Sequence, residues 1–146
     1  MTVAVRYKSR GGNTQAVAEV LADALGVTAD SIDVPLTEAV DTLFLGGGTY
    51  WFQADKELQN YVKNLDSSEV KQIVTFSTSG GGEPFINMKL QSLAKQKGIA
   101  INEKSLRVQF LAKGLSLFGR KGGQLTDKQK EQVRTFAKQF TETVGK

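Results

Sequence analysis

Lys8-Ser9-Arg10-Gly11-Gly12-Asn13-Thr14 separates two runs of different periodicity. Before it stands Val3-Ala4-Val5-Arg6-Tyr7, a short apolar run that reads as a buried strand. After it, Ala16, Val17, Val20, Leu21, Ala24 and Leu25 recur at helical spacing. A Gly-rich turn between a strand and a helix N-terminus is a phosphate-binding device. Small residues let the backbone approach an anion, the first helical N–H groups lack partners of their own, and the helix dipole favours negative charge there. Ser9, Asn13 and Thr14 add short polar side chains, and Asn13 reads as an N-cap. A tight turn with a cap would carry the same residues, so the stretch alone leaves both readings open. It is not a Walker A loop, because the closing Lys-Ser/Thr is absent, and it lacks the G-x-G-x-x-G spacing of dinucleotide folds.

Composition narrows the chemistry. The chain of 146 residues is expected to form one domain, 1–146, large enough for a real core. No run of eighteen apolar residues suggests a membrane span. The sequence enters a strand pattern directly, with no charged-then-apolar leader, so a cytoplasmic location is expected. There is no Cys and no His, which excludes thiol chemistry, disulfides, Ser-His-Asp catalysis and ordinary zinc sites. Redox work would need an organic cofactor. The net charge of +4 is uneven: residues 1–66 hold five Lys and Arg against nine Asp and Glu, a net of −4, and residues 67–146 hold fourteen against six, a net of +8. Such asymmetry can mark a surface for an acidic partner, or simply a solvated lysine-rich face.

The remaining chain alternates strand and helix patterns. Residues 27–34 read as a second strand that Pro35 ends. Asp41-Thr42-Leu43-Phe44-Leu45 reads as a third, stopping at Gly46-Gly47-Gly48. Ala54 to Leu65 has helical spacing, with Asp55 and Glu57 in its first turn. Gln72-Ile73-Val74-Thr75-Phe76 reads as a fourth strand, running into Ser77-Thr78-Ser79-Gly80-Gly81-Gly82. Pro84 is placed to open a helix that Gly98 closes. Residues 99–111 read as a fifth strand in two pieces, 115–123 as a loop, and Thr126 as the N-cap of a last helix bearing Val133, Phe136, Ala137 and Phe140. Five strands alternating with about four helices imply parallel pairing through right-handed crossovers, an α/β doubly wound sandwich.

In open parallel sheets ligands bind beyond the carboxyl ends of the strands, where strand order reverses. Three loops here leave strand C-termini and are rich in Gly, Ser and Thr: 8–14, 46–53 and 77–83. Parallel topology places all three on one edge of the sheet. One offers a phosphate nest, the second three glycines followed by Tyr50-Trp51-Phe52, the third hydroxyls and backbone N–H groups. Together they suit a ligand with a phosphate tail and a flat ring, with one aromatic stacked on that ring. The bland alternative is that one aromatic enters the core and two cover the next helix.

On these residues the chain resembles the flavodoxins over its whole length. Their phosphate loop has the form Ser/Thr-x-Thr-Gly-Asn-Thr, and Ser9-Arg10-Gly11-Gly12-Asn13-Thr14 matches it at the first, fourth, fifth and sixth positions. Gly11 stands where the family has a threonine, and Arg10 adds a cation. The resemblance implies a five-stranded sheet of order 2-1-3-4-5 and FMN as the cofactor. It implies phosphate contacts from Ser9, Arg10, Gly11, Gly12, Asn13 and Thr14. One face of the ring would be covered by Gly48, Thr49, Tyr50, Trp51 and Phe52. The pyrimidine edge and other face would be held by Ser77, Thr78, Ser79, Gly80, Gly81 and Gly82. The fifth strand lacks a twenty-residue insertion, as in the short-chain group. Trp51 stands where many flavodoxins have a glycine, 77–83 has no Tyr or Trp, and the chain is basic where the family is acidic. The implied activity is electron transfer to a redox partner protein, here an acidic one, with no catalytic residue and no metal required. An FMN-dependent NAD(P)H reductase of quinones or similar molecules is the alternative, favoured by a homodimer over a monomer. A nucleic-acid-binding module is not expected, since it would leave the Gly-rich loops unexplained.

Overall fold

The computed structural model describes residues 2–9, 12–50, 53–54, 56–79, 85–109 and 125–144. Strand β1 (Val3–Lys8) leads into helix α1 (Asn13–Leu25), then strands β2 (Ala29–Ser31), β3 (Val40–Tyr50) and β4 (Gln53–Ala54), and helix α2 (Lys56–Lys63). Strand β5 (Val70–Ser79), helix α3 (Phe85–Gln96), strand β6 (Ala100–Gln109) and helix α4 (Asp127–Val144) complete the order. The sheet runs β2-β1-β3-β5-β6, with every neighbour on that path parallel, and β4 is added antiparallel to β3. Counting only the parallel strands, this is the expected 2-1-3-4-5 order. The Gln53–Ala54 strand is an addition that the sequence reading did not contain.

Side-chain alternation along the strands splits the core in two. Val5, Phe44, Val74, Phe76, Leu106 and Val108 point to one face, where they meet Val17, Ala18, Leu21 and Ala22 of α1 and Val133, Phe136, Ala137 and Phe140 of α4. Leu43, Leu45 and Ile73 point to the other, against Leu58 and Val62 of α2 and Leu90, Leu93 and Ala94 of α3. Phe44 and Phe140 meet edge to face, with centroids 5.2 Å apart and planes at 87°, a geometry worth about 0.5–1.5 kcal/mol beyond burial. Thr126 caps α4 as expected: Gln129 N–H donates to Thr126 Oγ1 at 3.1 Å, and Thr126 N–H donates to Gln129 Oε1 at 2.9 Å.

Several boundaries differ from the sequence reading, each for a local reason. Strand β2 has three residues rather than the run 27–34. Val34 N–H turns back to Ser31 O at 3.0 Å. The buried Arg6 then takes the carbonyls of Val34 and Pro35 at 2.9 and 3.2 Å, and lies 3.6 Å from Asp30. Helix α2 starts at Lys56 because Ala54 pairs with Thr49. Strand β6 is one strand, Ala100–Gln109, rather than two pieces, but its pairing with β5 is irregular. Ile73 faces Ile101 and Thr75 faces Ser105, so β6 carries two extra residues there. Asn102 Oδ1 accepts the Lys104 N–H inside that irregularity, at 2.8 Å. Because side chains alternate with period two, an insertion of two leaves every later residue on its original face. Residues 110–124, including the loop expected at 115–123, lie outside the described residues, as does Pro84.

The largest correction concerns glycine. Strand β3 does not stop at Leu45 but runs through Gly46, Gly47 and Gly48 to Tyr50. Gly46 pairs with Tyr7 and Phe76, Gly47 with Lys8 and Ser77, and Gly48 with Thr78. A Cβ on Gly46 would overlap Cδ2, Cε2 and Cζ of the Phe76 ring, and one on Gly47 would meet Leu58 Cδ2 at 2.9 Å. These glycines are not breakers but gaps that neighbouring side chains fill. Gly46→Ala should therefore destabilise the fold by about 1–3 kcal/mol, as overpacking does. A smaller residue at Phe76, in Gly46→Ala/Phe76→Leu, should recover part of that loss in urea unfolding. Simple additivity of the two losses would contradict the steric account.

Candidate functional site

The C-terminal ends of β1, β3 and β5 are adjacent by register, with Lys8 beside Gly47 and Gly48 beside Thr78. The structure thus brings together, on one sheet edge, the described parts of all three loops singled out by sequence: Ser9, Gly12, Asn13 and Thr14, then Gly48, Thr49 and Tyr50, then Ser77, Thr78 and Ser79. Arg10, Gly11, Trp51, Phe52, Gly80, Gly81 and Gly82 lie outside the described residues. Thr49 and Tyr50 belong to β3 and form its hairpin with Gln53 and Ala54, a feature hidden because nothing in Gln53-Ala54 signals a strand.

The start of α1 is built differently from the sequence expectation. The N-cap is Gly12, held at φ 91° and ψ −11°, and Asn13 is the first helical residue. Gly12 takes the left-handed conformation at no steric cost, whereas Asn13 in that place would not. Ser9 Oγ accepts the Gly12 N–H at 3.0 Å. The first helical bond runs from Ala16 N–H to Gly12 O at 3.0 Å. Helix geometry leaves the N–H groups ahead of Ala16 without intrahelical acceptors. Asn13 Oδ1 is buried and has no hydrogen-bond partner among the described residues. A buried acceptor without a donor costs about 1–3 kcal/mol, and it is the kind of defect that a ligand hydroxyl or N–H repairs.

Beside this turn, Thr14 Oγ1 and Thr78 Oγ1 lie 2.6 Å apart, both side chains buried. This joins α1 to β5 directly. Sequence reading ended the strand at Phe76 and so placed Thr78 in a free loop. In fact Ser77 and Thr78 are buried strand residues. The signal was parity: Thr78 shares a sheet face with Phe76, the face α1 covers.

Lys8 leaves on the opposite face. Its Nζ lies 2.6 Å from Glu57 Oε2 at the start of α2. Burial, with the carboxylates of Glu19 and Asp30 acting in the same direction, pushes the Tyr7 phenol up, so it stays neutral at physiological pH. Among the described residues no cluster of acidic side chains is arranged to hold a metal, and no helix is long and apolar enough to cross a membrane. What the described residues of this edge offer chemically is a set of neutral dipoles: helical N–H groups, the Ser9 and Thr14 hydroxyls, and one unsatisfied amide oxygen. The donors suit an anion.

The flavodoxin domain model matches residues 4–114 of the chain. No curated protein sequence matches it. Among solved structures it is similar to oxidised flavodoxin 2 from Bacillus cereus, at 16% identity and a TM-score of 0.68, covering 98% of this chain and 99% of that one. It is similar to a short-chain flavodoxin associated with a non-canonical PDU bacterial microcompartment, at 16% identity and a TM-score of 0.66, with the same coverage. It is also similar to the apo form of an NADH:FMN oxidoreductase, at 16% identity and a TM-score of 0.62, covering 98% of this chain and 90% of that one. Likeness at these identities concerns the fold.

The positive φ of Gly12 makes a direct prediction. Gly12→Ala should lower stability by about 1–2 kcal/mol through left-handed strain, and Gly12→Asn should lower it less, since Asn tolerates that region. Equal denaturant midpoints for all three proteins would show that the turn rearranges freely.

Proposed function

The chain belongs to the flavodoxin domain family, and from that premise we propose that it binds FMN at the carboxyl edge of the sheet and works in electron transfer. The observation that carries the reading is the anion-ready start of α1. There, past the left-handed turn at Gly12, the Ser9 and Thr14 hydroxyls and the first helical N–H groups offer donors, and buried Asn13 Oδ1 lacks one. The donors fit a phosphate monoester, which only accepts. The orphaned Asn13 oxygen fits a hydroxyl-bearing chain such as ribityl, which can donate.

In this reading Ser9, Arg10, Gly11, Gly12, Asn13 and Thr14 hold the phosphate. Gly48, Thr49, Tyr50, Trp51 and Phe52 border one side of the ring, and Ser77, Thr78, Ser79, Gly80, Gly81 and Gly82 the other. FMN, when bound, supplies the one- and two-electron redox chemistry. The protein binds it, orients it and shields it from water. No residue need act as general acid or base.

Purified protein should be yellow, or turn yellow with FMN, and should bind riboflavin much more weakly, because charge-assisted bonds to the phosphate supply a large share of the affinity. Gly12→Val should weaken FMN at least about tenfold, or 1.4 kcal/mol. Equal constants for FMN and riboflavin in a fluorescence titration would remove phosphate from the reading. Steady-state turnover of NAD(P)H with a quinone would favour the reductase alternative over the carrier.

A partner follows from charge. Among the described residues past 66, Lys89, Lys95, Lys97, Lys104, Arg107, Lys128, Lys130, Arg134 and Lys138 are basic and lie on α3, β6 and α4 or next to them. An acidic redox partner should be steered toward this side, with a rate that falls as added salt shortens the Debye length from its roughly 8 Å at physiological ionic strength. Stopped-flow electron transfer to one acidic and one basic acceptor across a salt series checks this. Flat rates for both would make the charge a solvated surface only.

A further inference from the structure

Thr14 and Thr78 lie 64 residues apart in sequence, yet their hydroxyl oxygens sit 2.6 Å from each other. Thr14 is 3% exposed and Thr78 7%. Each hydroxyl carries one proton and two acceptor lone pairs. Their mutual bond uses one proton and leaves the other to be donated elsewhere. In the pair alone either oxygen can be the donor. An anion at the start of α1 removes that freedom. Thr14 is the second residue of the helix, among the N–H groups that converge on an anion, whereas Thr78 lies in β5 between Gly48 and Val108. A phosphate oxygen with no proton only accepts. The Thr14 proton must then go to the anion, and the proton in the 2.6 Å bond must come from Thr78.

We infer that Thr78 is a positioning residue of the anion site, donating to Thr14 Oγ1 and so committing the Thr14 proton to a phosphate monoester at the N-terminus of α1. This rests on the proposed FMN reading and reassigns Thr78 within it. Family resemblance sets Thr78 with the residues at the flavin ring. Its buried hydroxyl is instead aimed at the phosphate turn. Chained hydroxyls polarise one another, so the outer donor strengthens the inner one without touching the ligand. Ser9 is arranged in the same manner. Its oxygen already accepts the Gly12 N–H, which leaves its own proton to give.

The test compares FMN with riboflavin, which shares the ring and ribityl chain but lacks the phosphate. Thr78→Val keeps the shape and removes the hydroxyl, and valine suits a buried strand. It should weaken FMN roughly two- to tenfold, the net worth of one neutral hydrogen bond, since Thr14 keeps its proton for the phosphate but loses the donor behind it, and leave riboflavin unchanged. Thr78→Ser should restore FMN binding. Thr14→Val/Thr78→Val should bind FMN no more weakly than Thr14→Val alone, because the outer donor has no effect once the inner one is gone. Should Thr78→Val fail to give a native melting curve, Thr78→Ala carries the same expectation. Equal weakening of FMN and riboflavin would overturn the inference, since Thr78 would then act through the ring or the fold. Unchanged FMN binding in a folded Thr78→Val would overturn it too. A wild-type protein that does not prefer FMN to riboflavin overturns the phosphate reading itself, whereas a preference kept intact by Thr78→Val overturns only this step.

Discussion

The close approach of the Phe76 ring to Gly46 is the constraint on which the molecule depends. Strand β3 is the middle of the sheet, between β1 and β5, and both its faces are covered by helices. In the row Tyr7, Gly46, Phe76 and Leu106, the missing side chain at Gly46 is the space that the Phe76 ring fills. A side chain at Gly46 would lift that ring toward α1 and α4, and interiors at crystal-like density do not absorb such a shift locally. The next row toward the carboxyl edge on that face contains Gly48, Thr78 and Val108. There a Thr hydroxyl reaches Thr14 of α1 at 2.6 Å. Core packing and site assembly are therefore one problem: how near α1 can lie to the ends of β3 and β5.

On the other face the same economy of side chains seats α2. Gly47 leaves room for Leu58, and the Lys8–Glu57 pair ties the first turn of that helix to the end of β1. Polar groups inside the sheet are matched along the strands. Gln72 donates to Thr42 at 3.1 Å, Asn102 donates to Gln72 at 3.4 Å, and the hydroxyls of Thr75 and Ser105 lie 2.6 Å apart. Shifting one strand by a residue would break these part-buried pairs, at about 0.5–1.5 kcal/mol each. The polar rungs thus add to a register already set by the alternating apolar faces and by the fit of Phe76 at Gly46.

How far the sequence foretold this divides by the kind of signal. Helices α1 and α4 were legible because their buried residues keep a 3.6 period and α4 opens on Thr126 with Gln129 three residues on. Strand order was legible through the alternation of elements and the family resemblance. The extent of β3 and β5 was not. Gly46-Gly47-Gly48 and Ser77-Thr78-Ser79 carry the composition of loops, and only the three-dimensional neighbours Phe76, Leu58 and Thr14 explain why they are strand. The cap of α1 was misplaced by one residue, because Asn is a strong N-cap by itself, and only the left-handed turn at Gly12 displaces it. The clustering of the three loops could be read from topology, whereas the role of Thr78 could not, since it depends on which face a residue occupies in a strand of unknown length.

The face a residue occupies also bears on the anion site proposed here. Lys8 is adjacent to Ser9 in sequence, and a lysine beside a phosphate turn invites an electrostatic reading. Yet Lys8 stands in register with Gly47, on the α2 face, where its ammonium meets Glu57. On the α1 face the described groups at the turn are uncharged: Ser9, Gly12, Asn13, Thr14 and, behind them, Thr78. Fixed dipoles of this kind hold an anion without first being stripped of a strongly bound water shell, as an ammonium must be. They also discriminate by direction rather than by charge alone, because each N–H and O–H has one line along which it donates. A site of this kind gains most from a tetrahedral group whose oxygens meet several such lines at once. Its selectivity then depends on how firmly each hydroxyl is held, and that is decided by the strands behind the turn.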